Sequence, residues 1–258
     1  MRKALFVFDA DNTLWDTDGV FRDAQIALLA TLAEAGLLKE PEQQLAELRR
    51  VDQHLIEQTG RPEYDFHLLA SALVHRYARH LTPQLAAETA LRDDLGGYTT
   101  LVERAYRAQE EVLMRIPHLY SDTKPVLSCM QEAALGVVLV LSEGSPERLE
   151  RIEAAHGLLR ERLIHNFTVS SKSKEAFDLA RAAGLKLLGI DNPYLLIAVG
   201  DSMRREIKYG KQAGFITVYK PSPYRGLEEP RAPDERPDFT IERLRQLPAV
   251  LQQLGLRL

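Results

Sequence analysis

The chain has 258 residues, enough for one large domain or two smaller ones, and its 45% hydrophobic and 27% charged residues are typical of a globular protein. Its net charge of -4 gives no electrostatic reason to expect a nucleic-acid polymer or an anionic membrane as a partner. The single cysteine, Cys129, excludes an internal disulfide framework and a cysteine-rich metal site. We expect a cytoplasmic protein, because no apolar stretch is long enough to span a membrane and the N-terminus lacks the pattern of a signal peptide.

The first predicted element is a buried strand over residues 4–8, which runs directly into a cluster of aspartates. Its apolar run is continuous, as is typical of a strand covered on both faces of a parallel sheet. Side chains two positions apart on a strand point the same way, so Asp9 and Asp11 could meet one ligand beyond the carboxyl edge of the sheet. Taken alone, a solvated turn explains this motif equally well.

A long helical region follows the first strand. Its residues are mostly Ala, Leu, Glu, Gln and Arg at helical spacing, and it contains no convincing strand. The four segments with this spacing are residues 21–38, 41–60, 64–81 and 100–116. We therefore predict an all-helical domain, residues 18–120, inserted after the first strand of an α/β domain made of residues 1–17 and 121–258.

The remainder of the chain alternates between strand and helix patterns. Continuous apolar runs predict strands at residues 136–142 and 195–200, and weaker candidates lie at 166–171 and 215–220. This alternation is typical of a doubly wound parallel α/β sheet.

Capping residues indicate where the helices between these strands begin and end. Ser145 and Gly157 bound one helix, and Ser171 or Ser173 begins the next, with Gly184 as its expected end. A terminal helix is predicted over residues 240–255, after a proline-rich loop.

Further candidate site residues follow the later strands. Asp201 comes directly after the strand at 195–200, so it should reach the same sheet edge as the first aspartates, where oxygen ligands would suit Mg²⁺. Helix capping is the simpler explanation for Asp201 alone. Ser142 could donate to an anion, or serve only as a turn residue. Lys172 and Lys174 lie near a helix N-terminus, where positive charge opposes the helix dipole. This indicates another task for at least one of them, although solvated surface lysines explain the pattern too.

In chain order, these fragments resemble the motifs of the haloacid dehalogenase (HAD) superfamily of phosphatases and related hydrolases. "DADNT" resembles its first motif, "VVLVLS" its second, a lysine its third and "IAVGDSMRRE" its fourth. The resemblance implies a Rossmann-like core, and the helical insertion stands where this superfamily carries a C1 cap that acts as a lid. Glu206 stands where the family commonly has Asp, and the third motif leaves Lys172 and Lys174 open, with Lys172 favoured by its distance before Phe177.

The resemblance also implies a role for each matched residue. The catalytic set would comprise Asp9 as nucleophile, Asp11 as general acid and base, Ser142 as a ligand of the phosphoryl oxygens, and Lys172 as a balancing positive charge. Mg²⁺ would bind Asp9, the main-chain carbonyl of Asp11, and Asp201. The supporting residues would be Thr13, Ser202 and Glu206. Asp16 and Asp18 match no family role, and we interpret them as solvated residues.

The function implied is Mg²⁺-dependent hydrolysis of phosphate monoesters of small metabolites, such as a nucleotide, phosphoglycolate or a sugar phosphate, through an aspartyl-phosphate intermediate. An acid at Asp11 favours phosphate esters over carbon–halogen bonds, because an ester leaves as an alkoxide that needs a proton. A phosphomutase of the same superfamily is the alternative, and a phospho-acceptor signalling domain is a more distant one. Substrate contacts from the helical domain would come from a candidate set of His54, Tyr64, His67, Arg76 and Tyr77, each of which packing or surface exposure also explains.

Overall fold

The computed structural model describes residues 3–60, 65–92, 96–189, 195–223 and 227–256. The chain divides into two compact units. The first contains Met1–Asp18 and Ile116–Leu258, and the second contains Gly19–Arg115. The domain boundaries predicted from the sequence, after residues 17 and 120, remain a prediction.

The first unit is built on a parallel sheet, which has six strands in the part of the chain that the structure describes. The strands are β1 Ala4–Asp9, β2 Gly136–Ser142, β3 His165–Thr168, β4 Leu195–Gly200, β5 Ile216–Tyr219 and β6 Phe239–Thr240. Their order across the sheet is β3-β2-β1-β4-β5-β6, so the sheet is doubly wound as predicted. The two residues of β6 were not predicted, because so short a strand has no detectable pattern.

Strand β1 lies at the centre of the sheet and is buried along its whole length. Phe6 and Phe8 pack into one apolar cluster, whereas Leu5 and Val7 pack into another. Because alternate side chains of a strand point to opposite faces, the two clusters cover the two faces of the sheet. This two-sided burial explains why the strand has a continuous apolar sequence.

The α-helices of the described residues are α1 Thr17–Glu34, α2 Leu45–Thr59, α3 Phe66–Ala78, α4 Pro83–Ala90, α5 Thr99–Leu113, α6 Thr123–Glu132, α7 Pro146–His156, α8 Lys174–Leu188, α9 Lys208–Gln212 and α10 Leu247–Gln253. A π-helical turn, Met203–Ile207, leads into α9. The predicted terminal helix is therefore wrong in extent, because residues 240–243 are not helical and a 3₁₀ turn, Leu244–Gln246, precedes α10.

Two helix boundaries show which capping predictions hold. Ser145 accepts a hydrogen bond from the main-chain amide of Arg148 at 3.2 Å and begins α7, and Gly157 ends it in the left-handed conformation, as predicted. Ser173, not Ser171, caps α8. The predicted end at Gly184 is wrong, since α8 continues to Leu188.

Gly184 lies inside α8 because the helix approaches the sheet closely at that point. A Cβ atom there would stand 2.3 Å from Leu5 Cδ1 in the core. The glycine therefore permits packing rather than ending the helix, and Gly189, with a φ of 64°, provides the left-handed cap.

The second unit is helical in its described residues and has its own leucine- and alanine-rich core. Four of the predicted substrate contacts have partners inside this unit: His54 with Glu57, His67 with Glu103, Arg76 with Glu47, and Tyr77 with Gln44. Tyr64 lies outside the described residues. No helix in the described ranges is both long and apolar enough to cross a membrane.

Candidate active site at the carboxyl edge of the sheet

The loop after β1 turns back on itself within a few residues. Asn12 has a φ of 62°, a left-handed conformation that Asn tolerates better than most residues. Its main-chain amide donates to the main-chain carbonyl of Trp15 at 2.7 Å. This turn keeps Asp9 and Asp11 at the carboxyl edge of the sheet. The contacts that shape this loop join residues close together in the sequence, so a short stretch of sequence determines its conformation.

Lys172, Asp9 and Glu206 form a buried charged cluster at this edge. The Lys172 ammonium donates to Asp9 and, at 2.7 Å, to Glu206, and the three side chains are at most 5% exposed. Lys174 instead pairs with Asp178 on the surface at 2.6 Å. The structure therefore brings Lys172 to the first motif and leaves Lys174 outside it.

The cluster holds two carboxylates for one ammonium. Burial is the main cause that raises the pKa of Asp9 to about 6, and Glu206 adds to the increase while Lys172 opposes it. Burial alone would lower the pKa of Lys172, but Asp9 and Glu206 together raise it above its ordinary value. The lysine is thus held charged, and Arg205, whose Nε lies 4.0 Å from Glu206 Oε1, adds a second positive charge beside the cluster.

Asp9 and Glu206 are each held in place by a second contact. The Thr13 hydroxyl donates to Asp9 Oδ2 at 2.9 Å, and the Ser202 amide donates to Glu206 Oε2 at 3.0 Å. A Cβ atom at Gly200 would stand 2.3 Å from Glu206 Cγ, so the glycine makes room for the longer acid. Glu206 therefore reaches Lys172 despite standing where the related motif commonly has Asp.

Asp11 is bound by three side chains. Its carboxylate accepts from Trp15 Nε1 at 2.9 Å, from the Thr17 hydroxyl, and from the Arg148 guanidinium at 3.2–3.3 Å. Burial alone would raise its pKa, but Arg148 and the Thr17 and Trp15 hydrogen bonds hold the pKa below its ordinary value. In this arrangement Asp11 is a carboxylate rather than an acid.

Arg148 was missed by the sequence reasoning, although a signal for it existed. It lies in the first turn of α7, where positive charge opposes the helix dipole. The same argument singled out the lysines near α8. Applied to α7, it would have marked Arg148 as a residue with a task beyond the helix.

Lys220 is a second missed residue. It lies just after β5, and its buried ammonium donates to the Asn12 carbonyl at 2.8 Å and stands 4.0 Å from the Tyr120 ring centroid. The adjoining Ser222 hydroxyl donates to Asp18 at 2.6 Å. The interpretation of Asp18 as solvated is therefore wrong, since it is buried and tied to the segment after β5.

Asp201 and Ser142 occupy matching positions on the strands beside β1. Phe8 pairs with Val199 in β4, so Asp201 follows β4 close to where Asp9 ends β1, and it is 5% exposed. Asp9 pairs with Leu141, and Ser142 is the next residue in β2. The Ser142 hydroxyl is buried and accepts from the Gly144 amide at 3.1 Å.

The oxygen donors at this edge fit Mg²⁺. Within the described ranges, no group of three or more His, Cys, Asp or Glu side chains is arranged to hold a metal ion. Mg²⁺ needs fewer, because it commonly keeps several waters and binds one or two carboxylates. Asp9, Asp201 and the main-chain carbonyl of Asp11 are the donors available for such a site, since the Asp11 carboxylate is turned to Arg148.

Comparison with known proteins places this fold and motif order in a family. The model of the haloacid dehalogenase-like hydrolases matches residues 3–214. A glyceraldehyde 3-phosphate phosphatase of Methanopyrus kandleri is 26% identical over 254 residues, which cover 96% of this chain and 97% of that protein.

Solved structures share the fold. A haloacid dehalogenase-like hydrolase of Xanthomonas campestris is 20% identical, with a TM-score of 0.60 and coverage of 98% of this chain and 96% of that one. The HAD hydrolase YfnB of Bacillus subtilis, solved with bound magnesium, is 18% identical, with a TM-score of 0.61 and coverage of 97% and 99%. Because the family model covers most of the sequence, the chain belongs to the haloacid dehalogenase-like hydrolases.

Proposed function

We propose that this chain is a Mg²⁺-dependent phosphomonoesterase that acts on small phosphorylated metabolites through an aspartyl-phosphate on Asp9. The observation that carries the proposal is the buried contact of Lys172 with Asp9 and Glu206. A carboxylate attacking a phosphate dianion is repelled by it, and a fixed ammonium beside the nucleophile offsets that repulsion.

Asp9 would act as the nucleophile, and two contacts of its carboxylate support this role. Thr13 and Lys172 each hold one of its oxygens, which orients the carboxylate at the end of β1. As Asp9 forms its bond to phosphorus, the ester P–O bond breaks and its electron pair passes to the leaving oxygen. Water then attacks phosphorus and returns Asp9 to its starting form.

The metal would be held by Asp9, the Asp11 carbonyl and Asp201, and it supplies positive charge to the phosphoryl oxygens when bound. The burial of both the Asp9 and the Asp201 side chain, at the adjoining ends of β1 and β4, supports this assignment. Ser142 would add a hydroxyl donor to the same oxygens.

Asp11 would protonate the leaving alkoxide and later take a proton from the attacking water. For this it must release Arg148 and take up a proton from solvent, since the guanidinium favours the charged carboxylate. The hydrogen bonds from Trp15 and Thr17 can keep Asp11 near the site while it does so.

The substrate class proposed is a small metabolite carrying a phosphate monoester. The relative from Methanopyrus kandleri is named for glyceraldehyde 3-phosphate, so this compound belongs in a substrate screen with nucleotides, phosphoglycolate and sugar phosphates. Steady release of inorganic phosphate without an added acceptor supports a hydrolase, whereas transfer of the phosphoryl group to a sugar hydroxyl without release of phosphate supports a phosphomutase.

The test of the proposal removes the nucleophile. We expect Asp9→Asn to lose at least about 1,000-fold in turnover of an aryl phosphate, and EDTA to silence the unaltered enzyme. Asp178→Asn, the same chemical change at a partly exposed ion pair, should keep normal turnover. Near-normal turnover by Asp9→Asn would show that another residue attacks phosphorus.

A further inference from the structure

Both oxygens of the Asp11 carboxylate are engaged. Oδ1 accepts from Trp15, Thr17 and Arg148, whereas Oδ2 accepts, among the described residues, from Arg148 Nη1 at 3.3 Å. Asp11 can face a leaving oxygen with Oδ2 only after Arg148 gives up that contact. The Trp15 and Thr17 bonds do not need to change, because they hold the other oxygen.

Full release of Asp11, which also breaks the two 3.2 Å contacts of Arg148 with Oδ1, leaves the guanidinium without its anion. Separating a partly buried charge-assisted pair is costly unless another acceptor takes the place of the lost one. The guanidinium presents planar N–H donors that match a two-oxygen anion. A substrate that carries such an anion close to its ester oxygen would therefore compensate for the release.

The pair is open to an incoming molecule. The side chains of Arg148 and Asp11 are each 34% exposed, so solvent reaches part of both side chains. Gly144 lies against both groups, since a Cβ atom there would stand 3.6 Å from Arg148 Nη1 and 3.3 Å from Ser142 Oγ. The guanidinium thus lies beside both the proposed phosphoryl ligand and the proposed general acid.

We propose that Arg148 is a specificity-determining residue that binds a carboxylate on the leaving group of the substrate, one or two carbons from the ester oxygen. The carboxylate replaces Asp11 on the guanidinium, and the released Asp11 turns to the leaving oxygen. This inference rests on the proposed phosphatase function. It assigns part of substrate choice to the first unit, through a residue of α7.

A matched pair of substrates tests the inference. Phosphoglycolate and its amide, phosphoglycolamide, share a leaving oxygen and differ in the carboxylate. We expect the unaltered enzyme to prefer phosphoglycolate by about 10- to 100-fold in kcat/KM, the range of a charge-assisted hydrogen-bonded pair. In Arg148→Gln this ratio should fall toward one, and Arg148→Lys, which keeps the charge without the planar fork, should give an intermediate ratio.

The exposed Arg151 lies one turn further along α7, and Arg151→Gln is the control that should keep the ratio of the unaltered enzyme. An unchanged ratio in Arg148→Gln would overturn the inference. An equal slowing of both substrates would also overturn it, since Arg148 would then serve the phosphoryl group. Failure of the unaltered enzyme on every phosphate monoester would instead refute the proposed function itself.

Discussion

Lys172 sets the charge balance of the site. It is the ammonium that the described residues place against Asp9 and Glu206, and both carboxylates are buried. Without it, two neighbouring negative charges would remain in a desolvated site, which is more costly than the loss of one surface ion pair.

We predict that Lys172→Met abolishes phosphatase turnover and lowers the free energy of unfolding by about 3 kcal/mol, as expected when one partner of a buried charged cluster is removed. Lys174→Met, which loses only a surface pair with Asp178, should change both quantities little. Turnover of an aryl phosphate and urea unfolding are the measurements. The reverse pattern, with Lys174 essential, would assign the third motif to the other lysine.

Glu206 has a longer side chain than the Asp that is common at this position of the related motif, and it still reaches Lys172. Gly200 leaves the space into which its longer side chain packs, and the Ser202 amide fixes the second oxygen. The carboxylate consequently meets Lys172 at 2.7 Å. The departure from the related motif is therefore accommodated by backbone next to it.

At the scale of elements, α7 is joined to β3 by a buried carboxyl group. Asn166 in β3 donates to Glu153 in α7. Burial raises the pKa of Glu153 to about 7, with Glu150 adding to the increase and the Asn166 hydrogen bond opposing it. The folded protein thus holds this proton more tightly than the unfolded chain does.

The sign of the pH dependence follows from that difference. Because the folded-state pKa lies above the ordinary value of 4.5, stability contributed by Glu153 is lost as pH rises from about 4.5 to about 7. Glu153→Gln cannot ionise, so we predict that it is more stable than the unaltered protein at pH 8 by about 1–2 kcal/mol. The predicted difference in unfolding free energy is reduced to allow for solvent screening, because Asn166 is partly exposed. The stability advantage of Glu153→Gln should vanish near pH 5.

Urea unfolding at several pH values measures this effect. Glu132→Gln, at the exposed end of α6, is the control that should leave the pH slope unchanged. An equal pH slope in the unaltered protein and in Glu153→Gln would show that Glu153 is ionised throughout in the folded state.

At the scale of the whole molecule, cation binding should raise stability. A ligand that binds only the folded state at about 100 times its dissociation constant adds about 2.7 kcal/mol. We predict that Mg²⁺ raises the Tm by several degrees, that EDTA reverses the rise, and that Asp201→Asn removes the response. Differential scanning fluorimetry checks this without relying on turnover.

Asp23→Asn, an exposed change in α1, should respond to Mg²⁺ like the unaltered protein. Loss of the response in this control would indicate a nonspecific effect of ionic strength. A full response in Asp201→Asn would remove Asp201 from the proposed metal site.

The sequence by itself determined the architecture of the first unit and the loops that carry its chemistry. The apolar runs at residues 136–142 and 195–200 are strands with those bounds, and their polar successors lie at one sheet edge. Continuous hydrophobicity and capping residues act locally, so a single sequence contains them. The order of the motifs was enough to predict the family.

The tertiary structure decided which of the candidate charged groups meet: the resemblance had favoured Lys172 over Lys174, and nothing in it implied Arg148. Lys172 contacts Asp9 across 163 positions of sequence, and Arg148 contacts Asp11 across 137, so no local pattern encodes either pair. Gly184 makes the same point, because it reads as a helix end but is required by the close approach of α8 to Leu5. Such contacts depend on how strands and helices pack together, and burial then sets the energy of each charge.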